Sequence, residues 1–130
     1  RERSMKYTID LTERQFALIA DCVETCHRIA CGDIEEIAKI LPHCTKRQEI
    51  DRICKELKAV AFPELYPNQS YKWSGGQADE QQDALQKETY AIYREMRHFD
   101  AVVRGVDSVY ASPTLTCGAK LPQIFYSNEN

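Results

Sequence analysis

Four times along this chain a residue that favours helix starts is followed three positions later by glutamine or glutamate. The pairs are Thr12 with Gln15, Asp33 with Glu36, Thr45 with Gln48, and Asp79 with Gln82. In this arrangement the first side chain accepts from the third helical residue's backbone N–H, and that residue's own side chain reaches back. Each pair opens a stretch with apolar residues at three- and four-residue steps, the period of a helix with one buried face. The pattern predicts a mainly α fold of about four helices.

The first helix is expected over roughly 12–31, with Phe16, Ile19, Ala20, Val23, Cys26, His27 and Ala30 on one face. Gly32 then stands where a glycine terminates a helix. The second helix carries Ile34, Ile37, Ala38 and Leu41 and stops at Pro42, since proline disfavours a helical residue before it. The third faces inward with Ile50, Ile53, Cys54, Leu57 and Ala61 and ends at Pro63. Lys46, Arg47, Arg52, Lys55 and Lys58 interleave with acids on it, as on a solvated face. The fourth runs over about 79–103 with Leu85, Thr89, Ile92, Met96, Phe99 and Val103, and ends at Gly105. Between the last two, residues 63–78 hold two prolines and Ser74-Gly75-Gly76, which predicts a loop. That loop also carries Tyr66, Tyr71 and Trp73.

The two chain ends read differently. Lys6 to Asp10 alternates polar and apolar residues, the period of a strand. Val109-Tyr110 and Ile124-Phe125-Tyr126 predict one or two more short strands. The expectation is a minor β element formed by the N-terminal and C-terminal segments.

With 130 residues the chain is expected to form one domain, since domains run to about 100–200 residues. Met5 reads as the natural start, Arg1 to Ser4 as vector-derived, and 5–130 as a single globular domain. The net charge of -3 argues against nucleic acid as a partner. No apolar run reaches the roughly 18 residues that span a bilayer, so no membrane partner is expected. No signal-peptide pattern is visible. The six cysteines, Cys22, Cys26, Cys31, Cys44, Cys54 and Cys117, then read as small apolar core residues in a reducing, cytoplasmic setting.

Catalytic chemistry finds little support. Cys22–Cys26 and His27–Cys31 are each spaced to share an ion, but they point in different directions around one helix. No metal and no cofactor is therefore expected. Thiol–histidine pairs can be drawn in many ways among six cysteines and three histidines, and no nucleophile motif accompanies any of them. Asp33, Glu35 and Glu36 fit a helix start. Ser74-Gly75-Gly76 lacks the ending of a phosphate loop.

One candidate binding constellation stands out. The fourth helix carries Tyr90, Tyr93, Arg94, Arg97, His98 and Arg104, with Tyr90, Tyr93 and Arg97 in one stripe. Arginine forks hold phosphate or carboxylate, and aromatic rings stack on bases. Tyr71 and Trp73 lie on the preceding loop and are placed to close over that stripe. The plainer alternative has Arg97 paired with a carboxylate such as Glu24 or Asp100 and the aromatics packed on the core rim.

Leu11-Thr12-Glu13-Arg14-Gln15, Cys26-His27-Arg28-Ile29-Ala30-Cys31-Gly32 and Tyr90 to His98 resemble segments of small proteins encoded by bacteriophages and prophages. Ser108-Val109-Tyr110 and Pro113 extend the likeness to about half the chain. Asp33 departs from it, standing where glutamine is expected. The resemblance implies a viral or prophage accessory protein in the host cytoplasm and singles out Arg28, Gly32, Arg97 and His98. It brings no activity and no catalytic residue.

The expectation is a non-enzymatic binding protein, in the anti-defence manner of such accessory proteins, that sequesters a nucleotide-like anionic ligand. Arg28, Tyr71, Trp73, Tyr90, Tyr93, Arg94, Arg97 and His98 form its candidate site, and a homo-oligomer, a dimer, is expected. The alternatives are an inhibitor of a host defence or replication protein, and a thiol- or metal-dependent enzyme.

Overall fold

Two long antiparallel helices organise the molecule. The structure, a computed structural model, describes residues 5–42, 46–71, 79–106 and 121–125. Helix α1 spans Glu13–Ala30, α2 spans Arg47–Ala61 and α3 spans Glu80–Arg104, with a 3-10 helix at Ile34–Ile40 between α1 and α2. Helices α1 and α3 pack against each other along their length, while α2 packs only on the 3-10 helix. The fold is mainly helical, as the cap pairs predict.

The ends of α1 obey their sequence signals. Gln15 N donates to Thr12 Oγ1 at 3.1 Å, and Thr12 N donates to Gln15 Oε1 at 2.8 Å, closing both halves of the capping box. At the far end Gly32 has φ 102. Its N–H donates to Ile29 O and the Asp33 N–H donates to Arg28 O, which satisfies the last carbonyls in a Schellman motif. Gly105 ends α3 with the same pair of bonds, to Val102 O and Ala101 O.

The register of the helix pair is fixed by four meetings along it. Arg104 Nη2 donates to Glu13 at 2.7 Å, and Phe16 and Phe99 lie 6.3 Å apart between ring centroids. Arg97 reaches Asp21 and Glu24, and Gln82 and Gln86 both donate to the carbonyl of Ala30. The buried face of α3 is therefore Gln86, Thr89, Tyr90, Ala91, Tyr93, Arg94 and Met96. The expected stripe is rotated from this: Leu85 and Val103 are exposed, and the tyrosines have moved in.

The second expected helix is a 3-10 helix. Its seven residues are too few to recover the cost of an α nucleus, and Asp33 makes no side-chain cap bond. A three-residue turn also aligns Ile34 with Ile37. These two join Ile29, Ile50, Cys54, Phe62, Leu65 and Tyr71 in a small second core. Burying Phe62 and Ile34 contributes about 2 kcal/mol each.

Helix α2 turns Ile50, Cys54 and Lys58 toward that core. Ile53 and Leu57, expected inward, are about half exposed, and Val60 is 81% exposed. Lys58, expected in solvent, is buried and donates to the carbonyls of Pro67 and Gln69. Its ammonium thereby ties down the loop after α2, which its buried stem can do because the charge meets carbonyl dipoles.

No strand occurs among the described residues. Lys6 to Asp10 is irregular, with Tyr7 86% and Ile9 74% exposed. Alternation alone does not make a strand where no neighbouring backbone completes the ladder. Residues 121–125 are also irregular. Val109, Tyr110 and Tyr126 lie outside the described residues, as does the expected start at Thr45.

Candidate functional site

The α1 terminus, the turn after it, the loop after α2 and the middle of α3 converge on one cavity of about 190 Å³. Helix α1 contributes His27, Arg28 and Cys31, and the turn contributes Asp33. Tyr71 comes from the loop, and Tyr90 and Tyr93 from α3. The Schellman turn positions Asp33, and the Tyr71 N–H donates to Cys31 O at 2.7 Å, fastening the loop beside it. Tyr71 also donates its hydroxyl to Glu64.

The aromatic groups are in mutual contact. His27 lies 5.5 Å from Tyr90 and 5.3 Å from Tyr93 between centroids, and the two tyrosines meet edge to face at 5.6 Å. Such packing holds rings rigid and presents their faces and edges in fixed directions. His27 Nδ1 is 2.9 Å from the Gln86 carbonyl and 3.1 Å from Thr89 Oγ1, and its Nε2 is 3.7 Å from Cys31 Sγ.

Burial dominates the electrostatics. It holds His27 below its ordinary value, with the nearby Arg28 adding to the effect and the Gln86 carbonyl opposing it. It pushes the Cys31 thiol up to about 11, with Asp33 adding to the shift. Asp33 is raised by burial and by Glu35. Both partners of the His27–Cys31 pair are thereby held neutral, which disfavours a thiolate.

Four of the eight candidate residues, Arg28, Tyr71, Tyr90 and Tyr93, line the cavity. The other three described ones do not. Arg97 donates through Nη2 to Asp21 at 2.5 Å and Glu24 at 2.8 Å, the plainer of the two expectations for it. Arg94 is buried over the Tyr90 ring, 5.5 Å from its centroid, and donates to the Tyr90 hydroxyl. His98 is half-buried further along α3. Trp73 lies outside the described residues. His27, Cys31 and Asp33 join the site unexpectedly, although the four-residue spacing of His27 and Cys31 beside Gly32 carried a signal.

The four described cysteines divide, and Cys44 and Cys117 lie outside the described residues. Cys31 and Cys54 are buried, whereas Cys22 and Cys26 are exposed on the outer face of α1 and are not core residues. Among the described residues no group of three or more histidine, cysteine or acidic side chains is placed to hold a metal ion. Among them too, no helix is long and apolar enough to cross a membrane.

Comparison with protein-family models, with curated proteins and with solved structures returns no match to this chain.

Proposed function

We propose that this protein works by binding a small molecule, without covalent chemistry, in the cavity between the α1 terminus and α3. The observation that carries the reading is the convergence of Tyr71, Tyr90, Tyr93 and Arg28 from three separate elements on one concavity. Binding sites combine apolar and aromatic walls with a few convergent polar groups, and this cavity has that make-up. An accessory protein of the phage type that sequesters a host metabolite fits both this site and the resemblance noted in the sequence.

The cavity is smaller than the roughly 300–1,000 Å³ of sites that enclose drug-sized ligands. It suits a ring-sized group rather than a whole nucleotide. Of the expected nucleotide-like ligand, the stacking half is therefore favoured over the phosphate half. Arg97 is turned to two carboxylates, and Arg28 shares Glu24 with it at 2.8 Å. An incoming phosphate has to displace those partners. Calorimetric titration against nucleosides, nucleotides, amines and amino acids tests the reading. Binding by wild type that Tyr93→Ala abolishes supports it; no heat from any compound removes it.

A second reading rests on a different surface. Ile53, Leu57 and Val60 form an exposed apolar stripe on α2. Such a stripe suits a protein partner, here a host defence or replication protein. Under that reading Leu57→Glu abolishes capture of the partner, and Tyr93→Ala leaves it intact.

A further inference from the structure

The lining of the cavity includes one carboxylate, and its counter-charges, Lys58 and Arg28, act on it only at a distance. Asp33 occupies the position from which an aspartate caps a helix, yet its carboxylate makes no cap bond. Its backbone angles, φ -83 and ψ 68, are not those of a capping residue. It forms no ion pair among the described residues, although it is partly buried and lines the cavity. Arg28, the one guanidinium on the cavity wall among the described residues, is already held by Glu24 at 2.8 Å and lies 3.7 Å from Glu36.

The aromatic walls point the same way. Tyr71, Tyr90 and Tyr93 line the same cavity as the carboxylate, from two elements. Tyrosine faces carry negative electrostatic potential and attract cations, and tyrosines grouped beside a carboxylate form a cage for ammonium groups. The Tyr71 hydroxyl donates to Glu64, which shifts further negative charge onto that ring.

Resting on the binding reading above, we infer that the ligand of this cavity is a small organic ammonium ion, with Asp33 as its counter-charge and Tyr71 and Tyr93 as the rings that face it, since Arg94 already lies over the Tyr90 ring at 5.5 Å. The ammonium N–H donates to the Asp33 carboxylate, and its alkyl groups lie against the rings. An anion meets the carboxylate and the ring faces unfavourably, and Arg28 is already paired with Glu24. Burial first, and then Glu35, raises Asp33 by more than Lys58 and Arg28 lower it, and a bound cation adds to the lowering side.

The test uses the full chain and resonances of the tyrosine rings. Methylammonium and trimethylammonium are titrated beside inorganic phosphate and AMP. The ammonium ions are expected to shift the Tyr71 and Tyr93 rings saturably, and phosphate and AMP are not. Asp33→Asn weakens the ammonium by at least about tenfold, the loss of one charge-assisted bond, without lowering the melting temperature. Asp33→Glu, which keeps the charge, retains part of the binding. Ammonium binding that is indifferent to Asp33→Asn overturns the inference. So does saturable binding of phosphate or AMP at these rings without the ammonium ions, an outcome that leaves the binding reading standing. If no probe moves the rings the inference also falls, and the wider calorimetric panel decides the reading beneath it.

Discussion

His27 and Cys31 face each other across one turn of α1, with Nε2 3.7 Å from Sγ, while the other ring nitrogen reaches the Gln86 carbonyl on α3 at 2.9 Å. A carbonyl only accepts, so Nδ1 carries the proton and Nε2 offers a lone pair to the thiol. The geometry resembles a nucleophile and its base, with a third group orienting the base. The energetics do not. Transfer of the proton would run from a thiol pushed up to about 11 to an imidazole held below its ordinary 6.5. That is uphill by several powers of ten, so both groups stay neutral: His27 ties α1 to α3 through Gln86, and Cys31 lines the cavity beside it.

The pH dependence of stability follows from the same pair. His27 is depressed in the folded protein, so the unfolded chain takes up its proton first as pH falls. Stability is full above about pH 6.5 and declines from there toward the lowered folded value. Glu24 acts in a lower window. Burial raises it, but Arg28 and Arg97 outweigh burial and hold it below its ordinary 4.5, so its contribution is lost only below that pH. Urea unfolding from pH 7.5 to 5 is expected to show the first decline, and His27→Gln to flatten it.

Arg97 and Arg104 both bridge α1 and α3, but they differ in worth. Arg97 shares two carboxylates and is about one-third exposed, whereas Arg104 and its partner Glu13 are largely in solvent. Exposed pairs contribute about 0.2–1 kcal/mol, and networks sit at the upper end. Arg97→Ala is expected to cost about 1 kcal/mol and Arg104→Ala less than about half of that. A double-mutant cycle of Arg97 with Glu24 measures the coupling directly.

The two helix-ending glycines separate strain from contact. Gly32 has φ 102, and a Cβ there meets Leu65 Cδ1 at 2.7 Å; Gly105 has φ 71 and a Cβ there meets nothing within 4 Å. Gly105→Ala is expected to cost about 1 kcal/mol, from the left-handed backbone alone. Gly32→Ala adds the displacement of Leu65 from the second core and is expected to cost about 2 kcal/mol or more. Paired denaturation curves compare them.

Caps that bond and caps that do not give a further contrast. Thr12 accepts from Gln15 N, and Asp79 accepts from Gln81 N and Gln82 N, whereas Asp33 accepts nothing at its helix. Thr12→Ala and Asp79→Ala are each expected to lower stability by about 1 kcal/mol. Asp33→Asn is expected to be close to neutral. An equal cost at all three positions would show that Asp33 serves the helix after all.

Thiol reactivity sorts the described cysteines by position. Cys22 and Cys26 are exposed, and Cys31 and Cys54 are buried with their thiols raised by burial first. Native-state alkylation mapped by mass spectrometry is expected to label Cys22 and Cys26 before Cys31 and Cys54. Early labelling of Cys31 would contradict its burial.

The helices were legible because their end signals are local. Thr12–Gln15, Gly32, Pro63, Asp79 and Gly105 act within a few residues, whatever packs nearby. Which face turns inward is not local. Leu85 and Leu57 are as apolar as any core residue, yet α3 is rotated by the His27–Gln86 bond and the Arg97 pairs, and α2 by the short 3-10 helix it packs on. Lys58 shows the same limit: its sequence neighbours are those of a solvated face, and only the loop carbonyls at Pro67 and Gln69 explain its burial. The aromatic half of the site was visible in Tyr71, Tyr90 and Tyr93. Asp33 was hidden because an acid before an apolar run reads as a cap.

Chemical-shift mapping of a metabolite panel on the full chain tests most directly whether the cavity is a ligand site. Binding in the cavity predicts saturable shifts confined to Cys31, Asp33, Tyr71, Tyr90 and Tyr93 and their neighbours, lost in Tyr93→Ala. Shifts confined to Ile53, Leu57 and Val60 on α2, or none at millimolar compound, would contradict it.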